Sequence, residues 1–294
     1  MIFANAIDAH VHLWDPARND DILILGTEPW LTDEGVAGRL RHHIAETGVA
    51  GAIVVQSAPS LEHSDWLRAA ARSVGGLIGI VAWIDPTAND AMDHVDRLST
   101  DEMVCGVRLM LNRMERSDVV LERESMECLG RLADAGLAIE CLAPPHRLGT
   151  VGALARALPR AQLVVDHCGL PPASEDPAEW RDGISDLATC QNVSAKFSGL
   201  IEPFGTSPRI SDIEGYAQHC LDLFGPMRLM AASNHPVCQM GGGTSRWAEM
   251  LADIIEKAEL SKVDRSDLLA GTALRVFQRA QTGKLVQGGI HAEA

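Results

Sequence analysis

Short apolar runs rich in β-branched residues alternate along this chain with longer amphipathic stretches. Eight such runs lie at residues 4–9, 51–56, 77–84, 104–109, 137–142, 162–166, 193–197 and 228–232. The stretches between them that carry a helical pattern include residues 34–47, 62–74, 118–135, 177–190, 245–258 and 266–280. Because the runs recur at about the length of a strand-helix-strand repeat, they predict parallel strands that are each followed by a helix. Eight such units form an α/β fold of the (β/α)8 TIM barrel type.

Local signals suggest the limits of the domain and the start of one helix. Ser211 and Glu214 have the spacing of a capping box, so a helix is expected to begin there. One barrel with a C-terminal helix is expected over residues 1–281, followed by a flexible tail at 282–294. An open doubly wound sheet is the alternative, but no G-x-G-x-x-G follows the first strand.

Composition and charge narrow the range of partners. The 294 residues are 46% hydrophobic and 22% charged, which is ordinary for a folded globular protein. The formal net charge of −15 argues against nucleic acid and anionic membrane surfaces, since both require basic patches. Seven cysteines without a C-x-x-C pair indicate free thiols, so we expect a cytoplasmic protein. Neither a secretory signal nor an apolar run of about 18 residues is recognisable.

Polar side chains cluster where the predicted strands end, which is the edge at which TIM barrels place their chemistry. These residues are His10 and His12; Gln56 and Ser57; Trp83 and Asp85; Arg108; Glu140; Asp166 and His167; Lys196 and Ser198; and Ser233, Asn234 and His235. His10 and His12 are one residue apart, so on a strand both imidazoles would face the same side. Such a pair suits a divalent metal or a polarised carbonyl group, and two ordinary surface histidines are the alternative.

Seven segments, in this order, carry a resemblance to a known family. They are I-D-A-H-V-H-L-W-D (7–15), V-V-Q-S-A-P-S-L-E-H-S-D-W-L (54–67), G-V-R (106–108), V-V-D-H-C-G-L-P (164–171), N-V-S-A-K-F-S-G-L (192–200), G-P-M-R-L-M-A-A-S-N-H-P-V-C (225–238) and A-G-T-A-L-R-V-F (270–277). The chain resembles the amidohydrolase-2 branch of the amidohydrolase superfamily, and within it the sugar and dicarboxylate lactonases. The resemblance implies a distorted TIM barrel that hydrolyses small cyclic esters, in many members without a metal.

One departure from the family pattern concerns the reaction itself. The family typically ends strand eight with G-S-D-W-P, whereas residues 232–236 read A-S-N-H-P. The resemblance assigns to that aspartate the role of general base for the attacking water, and Asn234 cannot take up a proton. General base catalysis contributes about 10²–10⁴-fold in rate. His235 could supply the base instead, or it could pack where the family has an indole.

The resemblance also implies roles for the histidines at the strand ends. His10, His12 and His167 could hold zinc or another divalent metal, or they could donate hydrogen bonds to a lactone carbonyl. Superfamily metal sites draw a further ligand from near strand five, where this chain offers Glu140 or His146, and both are also candidates for substrate binding. We expect that no metal is required, because strand six lies across a barrel from strand one.

Other polar residues are expected to bind or orient the substrate. Arg108 matches the family's G-V-R and either clamps a carboxylate or a lactone oxygen, or forms a salt bridge to a barrel acid. Gln56 and Ser57 are expected to hydrogen-bond the substrate. Lys196 could also reach it, although a paired role inside the barrel fits its mid-strand position better. Asp166 should face the helices if the histidine after it faces the cavity.

Three glycines at residues 241–243 precede a predicted helix. They could form an anion site from backbone N–H groups, or a flexible loop.

Three functions therefore remain open. The first is a lactonase that acts on a small anionic or polyhydroxylated substrate, the second a lactone isomerase or a decarboxylase on the same scaffold. The third is a barrel that binds a ligand but has lost catalysis because of Asn234. A homo-oligomer is compatible with all three.

Overall fold

The fold is an eight-stranded parallel barrel. The computed structural model describes residues 3–14, 35–72, 75–173 and 176–278. Its strands are β1 (Ile7–Val11), β2 (Gly51–Val55), β3 (Leu77–Trp83), β4 (Val104–Leu109), β5 (Ala138–Cys141), β6 (Leu163–Val165), β7 (Val193–Phe197) and β8 (Leu229–Ala231). They form one sheet in chain order, and each strand pairs in parallel with the next. Each predicted run overlaps one of these strands, so the predicted barrel is confirmed.

Helices surround the strands. The described ones are α1 (Gly35–Thr47), α2 (Leu61–Ala71), α3 (Ala91–Thr100), α4 (Arg123–Asp134), α5 (Leu148–Ala157), α6 (Ala178–Thr189), α7 (Ile210–Phe224), α8 (Gly243–Lys257), α9 (Lys262–Ser266) and α10 (Thr272–Phe277). The largest apolar cluster combines helix residues with strand residues such as Val107 and Ile139. A separate cluster containing Ile53, Val81 and Val164 fills the barrel, and Phe277 of α10 packs against it. Among the described residues, every helix falls short of the combined length and apolarity that a membrane span requires.

Two helix predictions differ from the structure in their extent. Residues 118–135 form a 3-10 turn and then α4 rather than one helix, because Glu122 between them has an extended backbone. The last predicted helix, 266–280, begins inside α9 and is interrupted by a π-helical turn at Asp267–Gly271. Its final residues lie outside the described part of the chain, as does the predicted tail at 282–294.

The predicted capping box at Ser211 is also displaced. The N-cap of helix α7 is Arg209 and the helix begins at Ile210, so the capping box lies two residues earlier than predicted. The carboxylate of Asp212 accepts a hydrogen bond from the backbone N–H of Arg209 at 2.8 Å, so the capping acid is Asp212 rather than Glu214.

The barrel closes between β8 and β1 through a few backbone contacts at the site. Val11 and His235 form an isolated parallel bridge. The His12 N–H donates to the His235 carbonyl at 2.7 Å, and the Asn234 N–H donates to the His10 carbonyl at 3.0 Å. Closure of the barrel therefore fixes the backbone of four residues that the sequence singles out.

Candidate active site

A register shift on β1 turns both histidines of the H-x-H pair into the barrel. Ala9 packs in the interior cluster, whereas Val11 packs on the outside. Strict alternation from Ala9 would place His10 on the outside, but the pairing of β1 with β2 is irregular in this segment. A bulge of this kind re-aims the side chains that follow it. His10 and His12 are consequently both buried inside the barrel.

The two imidazoles form a hydrogen-bonded chain with a defined direction. His12 Nδ1 lies 2.9 Å from the Val55 carbonyl oxygen, which can only accept, so Nδ1 carries the proton. His12 Nε2 is then an acceptor, and it lies 3.1 Å from His10 Nε2, which must donate. His10 Nδ1 in turn accepts from Lys196 Nζ at 3.0 Å. The chain runs from the ammonium group of Lys196 to a backbone carbonyl through two neutral rings.

Burial supports these neutral forms. It lowers the pKa of His10 well below its ordinary value, and the nearby charge of Lys196 lowers it further. Burial also lowers the pKa of His12 well below its usual range, with a further contribution from Arg108. Both rings therefore remain uncharged at neutral pH.

Below the histidines lies a buried cluster of two cations and two anions. Arg108 Nε donates to Asp166 Oδ2 at 2.7 Å, and Arg108 also donates to the Gln56 carbonyl at 3.0 Å. Lys196 forms a very short ion pair with Glu140, and its Nζ lies 3.7 Å from Asp166 Oδ1. Burial raises the pKa of Glu140 to about 7, against the opposing effect of Lys196. For Asp166 burial acts in the same upward direction, but Arg108 and Lys196 outweigh it and hold the pKa of the carboxyl well below its usual range.

The cluster settles three expectations about where these side chains lie. Arg108 makes the salt bridge to a barrel acid, one of its two predicted roles. Lys196 makes the interior pair that its position suggests, with Glu140 as partner. The expectation that Asp166 faces the helices is wrong: β6 ends at Val165, and the chain turns so that Asp166 also enters the interior.

His167 completes the histidine group from the opposite side of the barrel. Its backbone is left-handed, with φ 52°, which breaks the alternation expected after β6. The ring centroid lies 4.5 Å from that of His10, and Nδ1 lies 2.9 Å from Ser198 Oγ. Burial lowers the pKa of His167 to about 3, so this ring is neutral as well. Gly199 lies so close to this ring that a Cβ there would collide with it.

His235 lies apart from this group. Its backbone pairs with Val11, which faces outward, and paired residues of parallel strands point to the same side. Its ring packs on His43 of α1, with ring centroids 4.3 Å apart. His43 in turn bonds to the buried Asp8 at 2.8 Å. The geometry therefore does not support the expectation that His235 replaces the missing base, and the packing alternative describes it better.

Asn234 contacts an acid that the sequence reasoning missed. Its backbone is left-handed, with φ 58°, and its Nδ2 donates to Glu202 Oε1 at 2.8 Å. Glu202 lies in the 3-10 turn Glu202–Phe204 after β7. Burial raises the pKa of Glu202. No motif marks this residue, and the only sequence signal is an acid a few residues beyond a strand end.

The remaining predicted binding residues lie in different environments. Gln56 is fully buried, and within the described residues neither amide atom has a hydrogen-bond partner. Such a group calls for a bound water or ligand. Ser57 Oγ lies 3.4 Å from His63 Nε2. His146 is exposed, and its Nε2 lies 3.3 Å from Arg147 Nε, so no described contact joins it to the histidine group.

A cavity of about 450 Å³ opens beside the ends of β3 and β4. Trp83, Met110 and Arg113 are among its lining residues. Burial lowers the pKa of Arg113, and the charge of Arg108 lowers it further. The cavity therefore offers apolar surface near the strand ends, together with the charged side chains of Asp85, Arg113, Glu115 and Arg116.

The three glycines after β8 allow close packing. A Cβ on Gly241 would collide with Ile201 and with the backbone N–H of Glu202. Gly242 and Gly243 have φ values of 90° and 93°, a region that L-residues with side chains rarely adopt. These glycines let the β8 loop pack against the turn that carries Glu202, while the anion site stays a prediction.

Comparison with known proteins establishes the family. The family model described as Amidohydrolase matches residues 7–279. The chain belongs to this amidohydrolase family. It is 30% identical over 247 residues to a Burkholderia ambifaria protein named L-fucono-1,5-lactonase, a match that covers 84% of this chain and 85% of the relative. A Burkholderia multivorans protein of the same name is 27% identical over 299 residues, covering 92% of this chain and 95% of the relative.

A solved structure agrees with this assignment. An amidohydrolase from Burkholderia multivorans, crystallised with bound zinc, superposes with a TM-score of 0.79 at 26% identity. The match covers 94% of this chain and 100% of that protein. The solved Burkholderia multivorans protein therefore matches the barrel of this chain over its own full length.

Part of the site could hold a divalent metal. Donor atoms of His10, Asp166 and His167 lie within 4.8 Å of one another, so Asp166 takes the place that the sequence reasoning gave to His12. Neutral imidazoles and a carboxylate are suitable zinc ligands. However, Arg108 and Lys196 already bind Asp166, and Lys196 occupies His10 Nδ1. A metal would therefore compete with these cations for its ligands.

Proposed function

We propose that this amidohydrolase hydrolyses the lactone of a small sugar acid and releases the open-chain hydroxy acid. The observation that carries the proposal is the match over more than four fifths of the chain to relatives named L-fucono-1,5-lactonase. The buried histidine group at the barrel mouth supports it, because ester hydrolysis needs hydrogen-bond donors at the carbonyl oxygen. The comparisons do not favour the isomerase, the decarboxylase or the inactive barrel.

His167 is the proposed donor to the lactone carbonyl. If the Ser198 hydroxyl donates to Nδ1 over their 2.9 Å contact, the ring proton resides on Nε2. A neutral imidazole N–H of this kind stabilises the negative charge that develops on the carbonyl oxygen when water attacks. The low pKa of His167, about 3, keeps the ring in this neutral form throughout the working pH range.

The base of the site is formed by His10, His12 and Lys196. Their directed hydrogen-bond chain leaves neither ring free to rotate, so the surface presented to the substrate is preorganised. Gln56 is the proposed hydrogen-bonding partner of substrate hydroxyl groups, since its amide is buried and unsatisfied within the described residues.

The substrate class follows from the same surroundings. The cavity beside Trp83 suits a small polyhydroxylated molecule, because its lining combines apolar side chains with two arginines and two acids. Sugar-acid breakdown is the proposed metabolic setting. The cytoplasm is the proposed compartment, because all seven cysteines are free and buried. The net charge of −15 argues against nucleic acid and anionic membrane surfaces as partners. A homo-oligomer stays a prediction.

We propose that the reaction does not require a metal. The support is electrostatic, because Arg108 and Lys196 already neutralise Asp166 and Glu140 inside the barrel. A bound zinc ion would supply Lewis acidity near His10, Asp166 and His167, and no step described for this chain depends on it.

A lactone panel tests the function. The purified protein, with and without prior dialysis against a chelator, is assayed with L-fucono-1,5-lactone, other aldonolactones, a dicarboxylate lactone and an aryl ester by proton release. Hydrolysis of at least one sugar-acid lactone, with the rate unchanged after dialysis, is expected. A rate that falls on dialysis and returns with zinc would refute the metal-independent form, and no lactone hydrolysis would refute the function.

A further inference from the structure

The pair formed by Asn234 and Glu202 has an arrangement that a packing role alone does not explain. A carboxylate oxygen can only accept, so the atom of Asn234 that faces Glu202 Oε1 at 2.8 Å is the donor Nδ2. This contact fixes the amide orientation and directs Asn234 Oδ1 away from the bound carboxylate oxygen. The second carboxylate oxygen, Glu202 Oε2, is left over for another donor.

Both leftover oxygens are buried acceptors. Within the described residues, neither Glu202 Oε2 nor Asn234 Oδ1 has a hydrogen-bond partner. A buried acceptor without a donor is costly, and in native proteins a water or ligand usually supplies the missing bond. A water bound here would supply the O–H donors that these acceptors lack.

The pair lies at the strand end where the chemistry of the barrel is expected. Asn234 follows β8, and its N–H donates to the carbonyl of His10 at 3.0 Å. The turn of Glu202 is held in place by the close approach of Gly241 to Ile201 and to the Glu202 backbone. Glu202 is therefore a carboxylate held beside the position where this chain lacks one.

We infer that Glu202 is the general base of the reaction and that Asn234 positions both the carboxylate and the attacking water. The inference rests on the proposed lactone hydrolysis. Glu202 Oε2 takes one proton from the water as the water oxygen bonds to the carbonyl carbon. When the tetrahedral intermediate collapses, the ring C–O bond breaks and the leaving oxygen takes that proton back from Glu202. The product is the hydroxy acid, which ionises in solution.

The burial of Glu202 is consistent with this role. It raises the pKa of the carboxyl, which makes the ionised form a stronger base than an exposed glutamate. Since only the ionised form accepts a proton, activity should fall as the pH drops through this raised pKa. The acidic limb of the rate profile should therefore lie above the range of an ordinary carboxyl group.

The test compares Glu202→Gln, Glu202→Asp, the double variant Glu202→Gln/Asn234→Asp, and the control Glu214→Gln, an acid paired with Lys257 on the surface of α7. Each is assayed on the best lactone of the panel, with kcat, KM, pH profile and Tm recorded. Glu202→Gln is expected to lower kcat about 10²-fold or more with little change in KM, and to abolish the acidic limb. The double variant should regain at least tenfold in kcat relative to Glu202→Gln. Glu202→Asp should keep the acidic limb of the pH profile.

The outcomes separate the inference from the proposed function. If the parent hydrolyses a lactone and Glu202→Gln stays within threefold of it with the same acidic limb, the base is another group and the lactonase function stands. If Glu202→Gln does not fold, loss of the acidic limb in Glu202→Asp overturns the inference. If the parent hydrolyses no lactone, both fail. Glu214→Gln should match the parent in every readout.

Discussion

Replacing Lys196 with methionine should destabilise the protein strongly. Lys196 is fully buried and bonds to Glu140, with Asp166 3.7 Å away. Methionine has nearly the same length but no charge, so Glu140 would remain buried without its partner. Removing one member of a buried ion pair costs about 3–5 kcal/mol. This cost is a large fraction of the roughly 5–15 kcal/mol by which domains are stable.

The surface pair between Lys257 and Glu214 offers a matched control. Its atoms lie 2.8 Å apart, but its side chains are 52% and 46% exposed. Exposed pairs contribute about 0–1 kcal/mol, so Lys257→Met should change the free energy of unfolding by no more than that. Urea denaturation of both variants and the parent, followed by circular dichroism, measures the difference.

The loss of unfolding free energy caused by Lys196→Met should also depend on pH. The folded-state pKa of Glu140 is about 7, above its ordinary value of 4.5, so between these pH values the folded protein holds a proton that the unfolded chain has lost. By linkage, this group's contribution to stability falls as the pH rises from about 4.5 to 7. Without Lys196 the pKa rises further, so the penalty of Lys196→Met should be larger at pH 8 than at pH 5.5. Equal losses for Lys196→Met and Lys257→Met, or a penalty that grows towards low pH, would refute the reasoning.

Three further changes probe the site by other means. Gly199→Ala should lower the free energy of unfolding more than Gly205→Ala does, by a difference of about 2 kcal/mol or larger, which thermal unfolding measures. Both glycines have positive φ (70° and 72°), but of the two only Gly199 lies against the His167 ring. Gln56→Leu should raise KM for the lactone about tenfold, the equivalent of a hydrogen bond to a ligand, with less effect on Tm; an unchanged KM would argue against substrate contact. His235→Phe should keep kcat within a few-fold, because this ring packs against α1, and a loss of 10²-fold would restore it as the candidate base.

The strands and their order could be predicted because each is a short apolar run between turn signals. Parallel barrel strands are buried on both faces, so they appear in the sequence as continuous β-branched segments. Most of the polar site residues lie at or near the ends of these runs, with Lys196 inside its strand as an exception, which is why Gln56, Arg108 and Asp166 could be assigned to the strand ends. The residue pattern of the segments was therefore sufficient to place these three residues at the strand ends.

The direction of individual side chains could not be predicted, because it depends on local breaks in the strands. The register shift on β1 brings His10 inside against simple alternation. The left-handed backbone at His167 lets both that residue and Asp166 enter the interior. Glu202 was missed because its position depends on how two loops pack, with Gly241 against Ile201, and sequence spacing carries no such information.

The most direct test of the central claim compares the parent protein with His167→Ala on sugar-acid lactones, L-fucono-1,5-lactone among them. Ring opening is followed by proton release at constant pH, with the spontaneous rate subtracted. We expect saturable hydrolysis by the parent and a loss of about 10²-fold or more in kcat for His167→Ala, since the carbonyl loses its donor. A parent rate no higher than the spontaneous one, or full activity in His167→Ala, would contradict a lactonase site built on this histidine group.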